Sequence, residues 1–146
     1  MSSEPAYKAF NHAPPSLADV ERIGKDILAA LPSLFAHHVQ NVVIKVEDFP
    51  DAVIEKDMDL ESPYDLLGLY YGVPVGHDMG FEQPRHDVDM IFLYRRPLLA
   101  YWCDHDESFS AIVANTLIHE IGHHFGFSDD DMDRIEFGEW ERDGES

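Results

Sequence analysis

Apolar residues recur at helical spacing from Leu17 through Val20, Ile23, Ile27, Leu28 and Leu31, and Pro32 ends the run. Positions three and four apart share one helix face, so this period predicts an amphipathic helix that packs on a sheet. Ser16 stands just before it with Asp19 three residues on, a pair suited to capping the first turn. Val42, Ile44 and Val46 then alternate with Val43, Lys45 and Glu47, the period of a half-buried strand that Pro50 closes. Leu66 to Tyr71 predicts a second strand, with Gly68 inside it and Gly72, Pro74 and Gly76 beyond. Val88 to Tyr94 predicts a third, with Val88, Met90, Phe92 and Tyr94 on one face and Ile91 and Leu93 on the other, a strand expected to be buried on both sides. Residues 51 to 65 suit a short acidic helix and an irregular loop equally. His77 to Asp87 is a polar loop rich in His, Gly and Pro, a composition found lining clefts and, more often, covering ordinary surface.

Pro97 suits the first turn of a helical piece over Leu98 to Cys103, which runs into the acidic break Asp104-His105-Asp106. Ser108 is placed to cap the longest helix, in which Phe109, Ile112, Val113, Leu117 and Ile121 face the core while His119, Glu120 and His123 face a cleft. Gly126 ends it. Ser128 with Asp129, Asp130 and Asp131 predicts the cap and anionic first turn of a last short helix around Met132, Ile135 and Phe137. Residues 1 to 15 predict a flexible lead-in, 16 to 137 one domain, and 138 to 146 an acidic tail. There are no internal repeats.

The chemistry concentrates in His119 to Asp129, H-E-I-G-H-H-F-G-F-S-D. Imidazoles four apart on a helix lie one turn above one another and can grip a single ion. Zinc suits two neutral imidazoles with one further ligand and a water, and Glu120 is placed to take that water's proton. A left-handed Gly126 lets the chain turn so that Asp129, the first carboxylate after the turn, swings back toward the ion. Shuffling this composition gives H-E-x-x-H about 0.04 times, and roughly 0.0005 times with the Gly and an Asp or His added, so chance is a poor rival. His124 points about 100° around the helix from His123, which suits a supporting or surface role. His105 is the strongest alternative ligand. His37 and His38 are expected to be ordinary, partly exposed histidines.

The stretch H-E-I-G-H-H-F-G-F-S-D-D-D-M resembles the zincin-like metallopeptidase family, small single-domain bacterial proteins with a minimal zincin fold. Leu66-Leu67-Gly68-Leu69-Tyr70 with Gly72-Val73-Pro74, and Ile91 through Leu99, are similar to that family's other recurrent segments, so the resemblance covers roughly residues 17 to 135. It implies an α+β fold in which a small mixed sheet packs with an N-terminal helix and a metal-binding active-site helix. It implies His119, His123 and Asp129 as zinc ligands, one Zn2+ per chain, and Glu120 as the catalytic carboxylate. It also implies hydrolysis of peptide bonds through a zinc-bound water, with an extended substrate added to a sheet edge near Val88 to Tyr94. Tyr70, Tyr71, Arg96 and His124 are the candidates for a further oxyanion donor.

Composition narrows the partners. A chain of 146 residues is long enough for one two-layer core without staples. The formal charge of -19 repels phosphate backbones, which argues against nucleic acid as a partner, and the acidic tail suits solvent. Neither a signal peptide nor an anchor is expected from M-S-S-E-P-A-Y-K-A-F, and no apolar run reaches membrane-spanning length. The single Cys103 fits a cytoplasmic setting and is expected to be a small core residue. Oligomeric state leaves no mark. Two other classes compete with the peptidase: a metal hydrolase of another bond, amide or phosphodiester, and a zinc-stabilised binding domain without turnover.

Overall fold

Ser16 Oγ accepts from Asp19 N–H at 3.0 Å and Asp19 Oδ2 accepts from Ser16 N–H at 2.9 Å, and this reciprocal cap starts helix α1, Leu17–Ala29. The computed structural model describes residues 13–72 and 89–134, and of Leu34, Asp129 and Arg134 it describes the backbone alone. After α1 come α2 (Ser33–Ala36), β1 (Val42–Glu47), α3 (Ala52–Asp57), a 3₁₀ turn (Pro63–Asp65) and β2 (Gly68–Tyr71). The chain continues through β3 (Asp89–Tyr94), α4 (Arg95–Asp104), α5 (Phe109–Phe125) and α6 (Asp129–Arg134). The segment the sequence left open thus resolves into α3, capped by Asp51, and the 3₁₀ turn, capped by Ser62. The loop from His77 to Asp87, Val88, Ile135, Phe137, and the 1–12 and 135–146 ends lie outside the described residues.

The sheet is small and mixed, in the order β1-β3-β2. β1 runs parallel to β3 with Ile44 opposite Ile91, and β2 runs antiparallel with Tyr70 opposite that same residue. Side chains alternate across a strand, so Ile44, Ile91, Leu93, Gly68 and Tyr70 share one face, and all are buried. Helices α1 and α5 cover it: α1 lies on β1, α5 on β2, and the two helices touch. Val20 and Ile27 from α1 join Ile112, Val113, Leu117 and Ile121 from α5 in one core. Burying such a side chain is worth about 1.5–3 kcal/mol, so this shared layer carries most of the drive to fold.

Two expectations need correcting. β3 is fully buried on the helix side, at Ile91 and Leu93, whereas on the other face Tyr94 is fully buried but Met90 and Phe92 are only half-buried. Helices α1 and α5 cover the face of Ile91 and Leu93; across the sheet Val43 and Tyr71 are exposed as well. Cys103 is exposed rather than in the core. It lies five residues past the buried Leu98, roughly 140° around α4, which turns it to solvent. No described helix is long and apolar enough to cross a membrane.

Helix α5 approaches the sheet closely because Gly68 has no side chain. A Cβ there would lie 2.9 Å from the carbonyl oxygen of Phe92 and 2.9 Å from Thr116 Cγ2. Backbone on one side and a buried helix on the other leave no room to give. Gly68→Val is therefore expected to cost about 1–3 kcal/mol, read as a lower urea midpoint at unchanged slope. A parental midpoint would mean that the helix does not depend on this gap.

Candidate functional site

Ser108 Oγ accepts from Ala111 N–H at 3.1 Å and opens the 17-residue α5. Its core stripe, from Phe109 to Ile121, fixes the helix rotation, and that rotation leaves His119, Glu120 and His123 on the side away from the core. The helix closes at Gly126, which has φ 75°, with Phe127 N–H bonded to Gly122 O at 2.9 Å and Gly126 N–H to His123 O at 3.4 Å. This is a Schellman end, and it requires the left-handed conformation that glycine adopts without strain. Ser128 Oγ then accepts from Asp131 N–H at 3.1 Å, and α6 folds back until Met132, 1% exposed, lies over Gly122. The reversal predicted from Gly126 is present, and it brings α6 against the residue beside His123. The side chain of Asp129, expected to be the third ligand, lies outside what the structure describes.

The rings of His119 and His123 have centroids 6.1 Å apart and are inclined by 35°. A zinc–nitrogen bond plus the distance to the ring centre places each centroid about 3.2 Å from a shared ion, so tetrahedral ligation brings two centroids to about 5.2 Å. The pair stands about 1 Å wider than that, a gap that small side-chain rotations close. Among the described residues no group of three or more His, Cys, Asp and Glu is gathered to hold an ion.

Glu120 is tied to the sheet edge. Tyr94 N–H donates to Leu67 O at 3.0 Å, which fixes the antiparallel register so that Gly68 and Tyr70 turn their backbone groups away from β3. Tyr70 N–H uses this freedom to donate to Glu120 Oε1 at 3.1 Å. Burial holds the Glu120 carboxyl above its ordinary range, against the opposing pull of the Tyr70 N–H and of His123 and His119. A carboxylate so raised is a better proton acceptor, which is what a general base needs.

Tyr70 is itself held at both ends. Its hydroxyl donates to Asp89 Oδ2 at 2.6 Å, and its ring stacks on His124 with centroids 3.9 Å apart. Burial first, then Asp89, keeps the phenol well above its ordinary pKa, so it stays neutral. His124 therefore supports Tyr70 from beside His123, the supporting role its angle suggested. Of the other oxyanion candidates, Tyr71 is 63% exposed and Arg96 lies over the Phe49 ring at 5.6 Å. His105 stacks on Tyr101 at 3.6 Å, with Nδ1 2.8 Å from Tyr101 O. His37 and His38 are exposed, as expected.

A cleft of about 330 Å³ adjoins the site, lined by Leu66, Leu67, Ile112 and Thr116, with Asp65, Tyr101, Glu107 and Asn115 and the two site residues His119 and Glu120. The motif could not reveal this cleft, nor the Tyr70–Glu120 and Tyr70–Asp89 bonds, because they join segments 19 to 50 residues apart. The one sequence signal was alternation, which puts Tyr70 on the face of Gly68 and hence under the helix.

A family model described as zincin-like metallopeptidase matches residues 39–140. No curated protein matches the chain.

Proposed function

The chain belongs to the zincin-like metallopeptidase family, and from that premise we propose that it is a zinc-dependent peptidase in which Glu120 moves the protons. The observation that carries this is Glu120 itself, half-buried one position from His119 with one oxygen fixed by Tyr70 N–H at 3.1 Å. His119 and His123 would hold the ion, with Asp129 as the third ligand. The turn at Gly126 and the seating of Met132 over Gly122 support that choice, since they return the start of α6 to the end of α5. A zinc ion so held supplies Lewis acidity, polarising a carbonyl and lowering the pKa of water from about 15.7 toward roughly 7.

The chain's own groups do the rest. With Oε1 engaged by Tyr70 N–H, Glu120 has Oε2 to accept the proton of the attacking water. The same oxygen then delivers it to the leaving amine nitrogen, so Glu120 ends the cycle as it began. The substrate lies along β2 and not β3, because among the described strands β3 is central and β2 is the edge beside α5. The outward N–H and C=O of Gly68 and the outward C=O of Tyr70 offer an extended peptide its main-chain bonds.

The test is a peptide-library digest with protein brought to one zinc per chain and with protein stripped by chelator. Cleavage by the first and none by the second is expected, together with a higher melting temperature for the zinc form, since an ion bound by the native state alone shifts folding by mass action. Zinc that stays far below one per chain after dialysis would sink the proposal.

A further inference from the structure

The cleft beside Glu120 has a composition that names a substrate class. Its apolar lining comes from Leu66, Leu67 and Gly68, from the Tyr101 ring and from Ile112. Thr116 offers the cleft no donor, because its hydroxyl donates to Ile112 O at 2.8 Å. The charged groups among its described lining residues, apart from His119 and Glu120, are Asp65 and Glu107, with no Lys or Arg. Asn115 Nδ2 donates to Glu107 Oε1 at 3.5 Å, which brings that carboxylate up to the level of Asn115. Asn115 lies four residues before His119 on α5, one turn or about 6 Å along the axis. An extended lysine stem is about that long, and such stems bury their methylenes on apolar surface while the charged head stays polar. A volume near the small end of the usual pocket range, about 300–1,000 Å³, suits one or two residues and not a folded partner.

Resting on the peptidase assignment above, we infer that this cleft is a subsite for a cationic side chain, lysine or arginine, held with its stem on Leu66, Leu67 and Ile112 and its head at Glu107 and Asp65. The enzyme then prefers peptides with a basic residue at one fixed place relative to the bond it cuts.

The experiment compares peptides that are identical except for lysine or norleucine at each position in turn, which removes the charge and keeps the stem. The zinc-loaded enzyme should cut the lysine peptide about two- to fivefold faster at one position only, the effect of a partly screened ion pair. Glu107→Gln, which can still accept from Asn115, should abolish that ratio and Glu107→Lys should invert it. Asp57→Asn, an equal charge change on α3 outside the cleft, should leave it intact. The same peptides are then titrated by fluorescence anisotropy against Glu120→Gln protein, where no turnover is needed. Equal cutting of the two peptides, a preference spread over all positions, or one that survives Glu107→Gln would overturn the subsite. If nothing is cut but lysine peptides bind in a Glu107-dependent manner, the subsite stands and the peptidase assignment falls. If nothing is cut and the pair binds alike, both fall.

Discussion

Glu120→Gln is expected to lose about 10²-fold or more of peptide hydrolysis while keeping zinc, fold and melting temperature, the usual scale for removing a general base. The structure explains why glutamine is the informative replacement. Its amide oxygen can still accept the Tyr70 N–H that now bonds to Oε1 at 3.1 Å, so the link between helix and sheet edge survives. Alanine would strand that N–H and mix a structural loss into the kinetic one. The two proteins are compared at equal zinc content on one peptide library. Unchanged cleavage by the variant would point to a different base or a contaminating protease.

The second large effect concerns the metal. Asp129→Ala should weaken zinc binding by more than about 10²-fold, since it removes a ligand and not merely one of the outer partners, whose loss costs about 10–100-fold. Asp130→Ala and His124→Ala should stay within a few-fold of the parent. Asp130 is exposed, and His124 faces the Tyr70 ring. Asp129→His should rescue part of the affinity, because imidazole is an equally familiar zinc donor. Competition with a chromophoric chelator measures all four. Parental affinity in Asp129→Ala would move the third ligand elsewhere, with His105, stacked on Tyr101 at the cleft, first in line.

The parts of the molecule legible in the sequence are those set by spacing within one segment. The cap at Ser16, the strand at Val42, the long helix from Ser108 and its left-handed end at Gly126 follow from periods and single residues, and the structure has each of them. The placement of His119 and His123 on one side of a helix is of the same kind. What lay hidden depends on which segments meet. Alternation shows that Leu66 to Tyr71 is a strand, but the order of the described strands decides that β2, not β3, is the edge against α5. Only that order sends the Tyr70 N–H to Glu120. Likewise, Phe92 looks as apolar as Ile91, yet α1 and α5 cover the face of Ile91, and Phe92 on the other is half-buried. Asp65 and Glu107 carry no local signal at all; the pairing of a 3₁₀ turn with the approach to α5 makes them neighbours of one cleft.

The outward edge of β2 has a consequence for how copies of this chain behave toward one another. An open strand edge is a template on which further chains can stack, and proteins commonly blunt it with charge or brevity. Here both devices are present, since β2 has four residues and the Glu120 carboxylate occupies the Tyr70 N–H. A neighbouring molecule offering its own strand would have to displace a half-buried, hydrogen-bonded acid to complete the ladder, whereas a short, flexible peptide needs only the groups around Gly68 to begin. The carboxylate assigned to catalysis thus also guards the chain against self-association, and concentrated Glu120→Ala protein is where that guard would be missed.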